Sequence, residues 1–199
     1  STLSDKAGAQ KLNVVRGLAI DFNDNIYAAD SQNHRLVKYS PKGVGAVIAA
    51  NLKLPVAVAV DAIGNLYVAN GTAPFYLRKL TAKGTLLWNL QEQQFNLPSG
   101  LTVDAQGNVV VADTVASRVA MVDALGKKVS TILTKAADQL SYPYDVAMHQ
   151  GKLFVADFNN NRIVTLEGNS KSEVFAGGKT KGHADGNGAA AQLELPRGI

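Results

Sequence analysis

The sequence contains no cysteine. Disulfides, thiolate metal sites and cysteine nucleophiles are excluded together, although a disulfide-free domain can live on either side of a membrane. Histidine is nearly as scarce. The three present, His34, His149 and His183, fall in different slots of the repeat described below, so no convergence on one metal ion is expected. Long apolar runs are missing too. The greasiest stretch, GVGAVIAANLKLPVAVAVDAIG, is broken by Asn51, Lys53 and Pro55 and reads as two strands with a turn between them. No run approaches the roughly 18–20 residues of a membrane-spanning helix, so no membrane insertion is expected. Nor is a signal peptide visible, though the chain starts at Ser1 without a Met, which leaves room for an excised leader or a larger parent. Helical periodicity is confined to QEQQF (91–95) and TKAADQL (134–140), each enough for a turn or two.

Charge of one sign is not concentrated anywhere. The net charge is +4 and the pI about 9.2, yet the best basic cluster is only KTKGH at 179–183. Nucleic-acid binders gather their positive charge more tightly, so an RNA-binding role is not favoured. Acidic partners are permitted without being required.

The chain of 199 residues, 46% hydrophobic, is instead organised by repetition. RGLAID (16–21), VAVAVD (56–61), SGLTVD (99–104) and YDVAMH (144–149) are versions of one phrase, and RGI (197–199) begins another. Gly17, Ala57, Gly100, Asp145 and Gly198 mark successive copies at intervals of 40, 43, 45 and 53 residues. Each copy continues with a turn (DFNDN, DAIGN, DAQGN, HQGK) and a second strand (NIYAAD, NLYVAN, NVVVAD, KLFVAD). A polar loop, a third strand, a Gly-containing turn and a variable fourth strand follow. Alternation at a period of two with Gly, Asn and Asp turns indicates antiparallel hairpins. Four strands per 40–45 residues is the period of a β-propeller blade, in which neighbouring blades cover each other's faces. Strands one and two are expected inside and buried, and strand four at the outer edge.

RGLAIDFNDNIYAADSQNHRLVKYSPKG (16–43) and YPYDVAMHQGKLFVADFNNNRIVTL (142–166) resemble the NHL repeat family. The connector GGKTKGHADGNGAAAQLELPRGI (177–199) is similar to that family's linkers between blades. Repeat two departs from the pattern, with Asn70 in place of Asp and GTAPFY in place of the loop; repeat three lacks the Asn pair in DTVASR. The resemblance implies an all-β, NHL-like β-propeller of about four four-stranded antiparallel blades, at about 14–51, 54–90, 97–133 and 142–177. Residues 178–199 would be a connector and the start of the next blade. Because rings of this kind usually have six blades, a partial or open ring is expected, whose uncovered blade faces would serve self-association. The connector style suggests a bacterial, extracytoplasmic origin.

Three loops repeat an Asp and an Arg five residues apart: Asp30–Arg35, Asp113–Arg118 and Asp157–Arg162. Recurrence at one position reads as a structural fastening. The loop interiors, Gln32, Asn33 and His34 in repeat one and Phe158 to Asn161 in repeat four, are expected to be free for a partner. In a propeller these loops share an end with the start of each first strand. The candidate binding residues are therefore Arg16, Gln32, Asn33, His34, Arg35, Tyr142, Tyr144, Asp145, Asn159, Asn160, Arg162 and Arg197. Asp21, Asn23 and Asn25 mimic a calcium loop but read better as a hairpin turn, and DGNGAAAQ (185–192) lacks the Lys-Ser/Thr of a phosphate loop. Asp145 is the outlier, a carboxylate where siblings have Gly or Ala, and an ion pair with a neighbouring Arg or Lys is expected for it. No catalytic residue, metal or cofactor is assigned. The reading is a non-enzymatic binding or scaffold module for a protein or other macromolecule. The alternative is part of a propeller enzyme of the metal-dependent lyase or lactonase type, which the family resemblance implies.

Overall fold

A single aspartate builds the turn after each of the first three first strands. Asp21 Oδ1 accepts the backbone N–H groups of Asn23 (2.9 Å) and Asn25 (3.0 Å), and the Asn25 side-chain amide closes on both carboxylate oxygens. Asp61 with Asn65 and Asp104 with Asn108 repeat the arrangement. The carboxylate thus organises a hairpin, as the sibling sequences suggest. Tyr27 and Tyr67 add their hydroxyls to Asp21 Oδ2 and Asp61 Oδ2, at 2.9 and 3.1 Å.

These turns join strands into four antiparallel sheets. The computed structural model describes residues 11–91, 94–168, 170–178 and 180–199. Blade one holds β1 (Val15–Ile20), β2 (Ile26–Asp30), β3 (Arg35–Tyr39) and β4 (Gly45–Ala49). Blade two holds β5 (Pro55–Val60), β6 (Leu66–Asn70), β7 (Tyr76–Leu80) and β8 (Leu86–Gln91). Blade three holds β9 (Pro98–Val103), β10 (Val109–Asp113), β11 (Arg118–Val122) and β12 (Val129–Leu133). Blade four holds β13 (Pro143–His149), β14 (Lys152–Asp157), β15 (Arg162–Glu167) and β16 (Glu173–Gly177). Every sheet runs in sequence order, so each blade is a meander with two edges. One helical turn, Lys135–Asp138, forms within TKAADQL, capped by Thr134 Oγ1 accepting the Ala137 N–H at 2.9 Å. QEQQF forms none that is described: Gln91 ends β8, and residues 92–93 lie outside the described residues.

The blades group into two units, blades one and two with Leu125–Lys127, and blades three and four with the connector. In the first, Tyr27, Ala29 and Leu36 of blade one pack against Val58, Leu66 and Val68 of blade two. In the second, Val110, Ala112 and Val119 meet Leu153, Val155 and Val164. Each fully buried side chain of this size contributes roughly 1.5–3 kcal/mol. The first strands approach backbone to backbone. A Cβ on Gly17 would lie 2.8 Å from Ala57 Cα, and one on Gly100 would lie 2.7 Å from Asp145 Cα. That contact is why the slot favours the smallest residue.

Second and third strands are the best buried. The expectation of burial fails for β1, where Leu18 is 64% and Ile20 63% exposed. Ala19 faces blade two, and alternation turns its neighbours to the opposite face.

The Asp-Arg loops hold each hairpin to the chain before it. Asp30 Oδ1 accepts the N–H of Asn13 (2.7 Å), and Oδ2 accepts Asn33 Nδ2 (2.9 Å) and Arg35 Nε (2.7 Å). Asn33 Nδ2 also donates to the Lys11 carbonyl. Asp157 does the same with Ser141 N–H, Asn160 Nδ2 and Arg162 Nε, while Asn160 and Arg162 reach the carbonyls of Gln139 and Asp138. Asp113 pairs with Arg118 at 2.8 Å. In blade two Asn70 substitutes by gripping the loop itself, donating to the Thr72 and Pro74 carbonyls and accepting the Tyr76 N–H. All four of these Asp and Asn residues are fully buried.

Breaking a buried pair leaves its partner charge uncompensated, which costs about 3–5 kcal/mol. Asp30→Ala, which strands the buried Arg35, is expected to lower stability by that order in urea unfolding. Gln32→Ala, on the exposed side of the same loop, is expected to change it by less than about 0.5 kcal/mol.

Candidate functional site

The candidate residues fall into two groups, one in each unit. In blade one, Arg16, Gln32 and His34 are exposed. His34 sits in the left-handed region at φ 54° and its Nδ1 accepts the Leu54 N–H at 3.0 Å. With Asn51, Lys53, Leu54 and Thr72 it lines a pocket of about 460 Å³. Asn33 and Arg35 are not free, as the clasp on Asp30 already holds them.

Blade four carries the denser group. Tyr142, just before β13, lies in the left-handed region at φ 54°, and β13 is irregular between Pro143 and Asp145, so Tyr144 stands out of register with β14. Its ring lies 5.7 Å from that of Phe158. The Arg197 guanidinium covers both rings, at 5.4 Å from Tyr144 and 5.1 Å from Phe158. Tyr142 is 42% exposed beside them in sequence, and Asn159 is also exposed. Asn160 and Arg162 support the loop from below through Asp157, which corrects the expectation that Asn160 is available to a partner. Guanidinium over aromatic faces is an attraction of about 0.5–1 kcal/mol at exposed sites.

By sequence Phe158 is one of four loop-interior residues, yet the structure makes it central here. The signal is its slot, the residue directly after the clasp aspartate. Ser31 and Thr114 occupy that slot in blades one and three, and their hydroxyls donate to the carbonyls of Pro55 (2.5 Å) and Pro143 (2.8 Å) in the following blade. Blade four puts a ring where its siblings have a hydroxyl latch.

Asp145 does not form the expected ion pair among the described residues. Among the described residues its carboxylate accepts two backbone N–H groups, Val146 to Oδ1 (2.9 Å) and Ile199 to Oδ2 (3.2 Å). Burial pushes its carboxyl above the ordinary value of 3.8, and these two hydrogen bonds offset only part of that. Nothing beside it completes a cation site: among the described residues no three His, Asp or Glu side chains gather as metal ligands. The divalent metal that the resemblance brings to mind therefore does not fit the described residues. His183 instead stands 3.3 Å from Glu194 in the connector. Among the described residues no helix is long and apolar enough to cross a membrane.

The raised carboxyl has a pH consequence. The unfolded chain releases the Asp145 proton near 3.8 while the folded chain still holds it, so this group lowers stability as pH rises from there through its folded value. Asp145→Asn should remove that component: the urea midpoint of the variant gains on the parent as pH rises from 3.8.

With this geometry in place, the chain can be set beside known proteins. Residues 95–120 match the family model of the NHL repeat. In sequence the chain is 27% identical to a probable peptidyl-alpha-hydroxyglycine alpha-amidating lyase of Caenorhabditis elegans, over 97% of this chain and 65% of that protein. It thus spans just under two thirds of that relative's length. Among solved structures it is similar to a chain of the nidogen/laminin complex, with 18% identity and a TM-score of 0.78 over 94% of this chain and 68% of that one. It is also similar to a streptogramin B lyase (15%, TM-score 0.70, 83% and 57%). A third is the virginiamycin B lyase of Staphylococcus aureus (14%, TM-score 0.65, 80% and 54%). At such identities the structural likeness speaks to fold alone. Repeat, sheet topology and fold agree: the chain is an all-β protein with the four-stranded antiparallel blades of a β-propeller, and it carries an NHL repeat at residues 95–120.

Proposed function

We propose that this chain is a non-enzymatic binding module that presents the loop end of its blades to a protein partner. The observation that carries this reading is the Tyr144–Phe158–Arg197 stack with exposed Tyr142 beside it in sequence. Tyrosine and arginine dominate protein interfaces because they offer large area, hydrogen bonds and little entropy to lose. Asp157 and its clasp hold the platform rigid, which lowers the ordering cost of binding further. Tyr142, Tyr144, Asp145, Asn159 and Arg197 form the contact in blade four, and Arg16, Gln32 and His34 extend the reading to blade one. Asn33, Arg35, Asn160 and Arg162 act by holding these loops.

A second reading has one observation in its favour, the 27% identity with a probable amidating lyase along 97% of the chain. In that reading the chain is part of a propeller enzyme and the half-buried Asp145 is a carboxylate of its site. One pair of measurements separates the two. A photo-crosslinking amino acid in place of Tyr142 should give one defined protein adduct in extracts of the source cells, abolished by Arg197→Glu. Turnover of a peptidyl-alpha-hydroxyglycine by the purified chain, lost on Asp145→Asn, would decide for the lyase.

Self-association is proposed through the exposed apolar side chains at the two edges of blade one, Leu18 and Ile20 on β1 and Val47 on β4. Sedimentation equilibrium should then show a mass rising with concentration, held at the monomer value by Leu18→Asp with Ile20→Asp. A parent chain that stays monomeric throughout removes this part of the proposal.

A further inference from the structure

Blades one and two finish their turn ends with a repeated trio. Tyr27 is fully buried between the two blades, and its hydroxyl donates to Asp21 Oδ2. Lys38 Nζ lies 5.3 Å from the centre of its ring and 4.0 Å from the same carboxylate. Tyr67, Asp61 and Lys79 repeat the set in blade two, with Lys79 at 4.9 and 3.9 Å.

Blade three keeps the carboxylate and loses the rest. Asp104 and Asn108 build the same turn, but Val110 stands in the tyrosine slot and Met121 in the lysine slot. Among the described residues, Asp104 Oδ2 accepts only Asn108 Nδ2, at 2.8 Å, whereas Asp21 Oδ2 accepts both an amide and a phenol. Val110, Met121 and Asp104 line a cleft of about 560 Å³ between blades three and four. It is lined by Val110, Met121 and Ile132 of blade three and by Met148, Leu153 and Leu166 of blade four, together with Asp104 and Gly151.

We infer that this cleft is a binding site for a phenol-bearing ligand. The aromatic ring takes the place that Tyr27 fills in blade one, and its hydroxyl donates to Asp104 Oδ2. Three features select this chemistry. The walls are apolar, so the ring is driven in by burial. Two thioethers face the space, and sulfur packs favourably at aromatic rings. A carboxylate oxygen with acceptor capacity left rewards a hydroxyl and gives nothing to a plain hydrocarbon. The inference is independent of the loop-end reading above.

The chain's own composition provides the probe. Its two methionines are Met121 and Met148, and both line the cleft. In the full chain labelled at the methionine methyls, p-cresol should shift both signals saturably, through the ring current. Toluene should bind at least tenfold more weakly. Val110→Tyr should abolish the p-cresol response by filling the cleft from within. N-acetyltyrosinamide distinguishes the sources: binding as tight as p-cresol assigns the site to a tyrosyl side chain of a peptide, and exclusion assigns it to a free small phenol. Methyl signals that do not move, or toluene binding as tightly as p-cresol, would overturn the inference. Both outcomes are read on the parent chain and hold even if the tyrosine variant does not fold.

Discussion

A buried Asp or Asn at the end of the second strand is the constraint on which each blade depends. Asp30 and Asp157 each accept three bonds from three different places: the chain before the blade, the loop amide and the arginine of the third strand. A hairpin alone is marginal in water because its two strands bury little. Tying it to the segment that precedes it converts a local turn into a closed unit. Fully buried charge is tolerated here because both oxygens are occupied. Blade two shows that the requirement is for hydrogen bonds more than for charge, since Asn70 meets it by donating and accepting with its amide.

Blade packing adds the second constraint. First strands meet backbone to backbone at Gly17–Ala57 and Gly100–Asp145, and the hydroxyls of Ser31 and Thr114 latch onto the next blade's proline carbonyl. Blade four departs from both habits at once. It places Asp145 where a small residue is usual and Phe158 where a hydroxyl is usual. The residues Arg197–Ile199 answer both, with a guanidinium over the rings and a backbone N–H on the carboxylate. Real proteins break such local rules chiefly at functional sites, which is the physical reason to look for one in this blade.

Much of this was legible beforehand. The period, the strand alternation, the turn aspartates and the Asp-Arg pairing all follow from comparing the repeats with each other. Other features were not. Asn33 and Asn160 look like free loop amides, and nothing local says that Lys11 and Gln139 carbonyls come within reach of them. β1 reads as a core strand from its composition, yet alternation sends Leu18 and Ile20 to a face that blade two does not cover. The replacement of Tyr27 by Val110 can be seen in an alignment of the repeats, but whether neighbours close over the gap cannot.

The sequence by itself determined the repeat, the four-stranded blade and the role of the recurring Asp and Arg, because these rest on bonds between residues at most a few positions apart or on a strict two-residue alternation. Tertiary structure decided which loop residues stay available, what Asp145 binds, that Phe158 joins Tyr144 under Arg197, and that an apolar cleft remains at Val110. Each of these depends on segments brought together from tens of residues away, where the space left over after packing, and not the identity of any one side chain, sets the outcome.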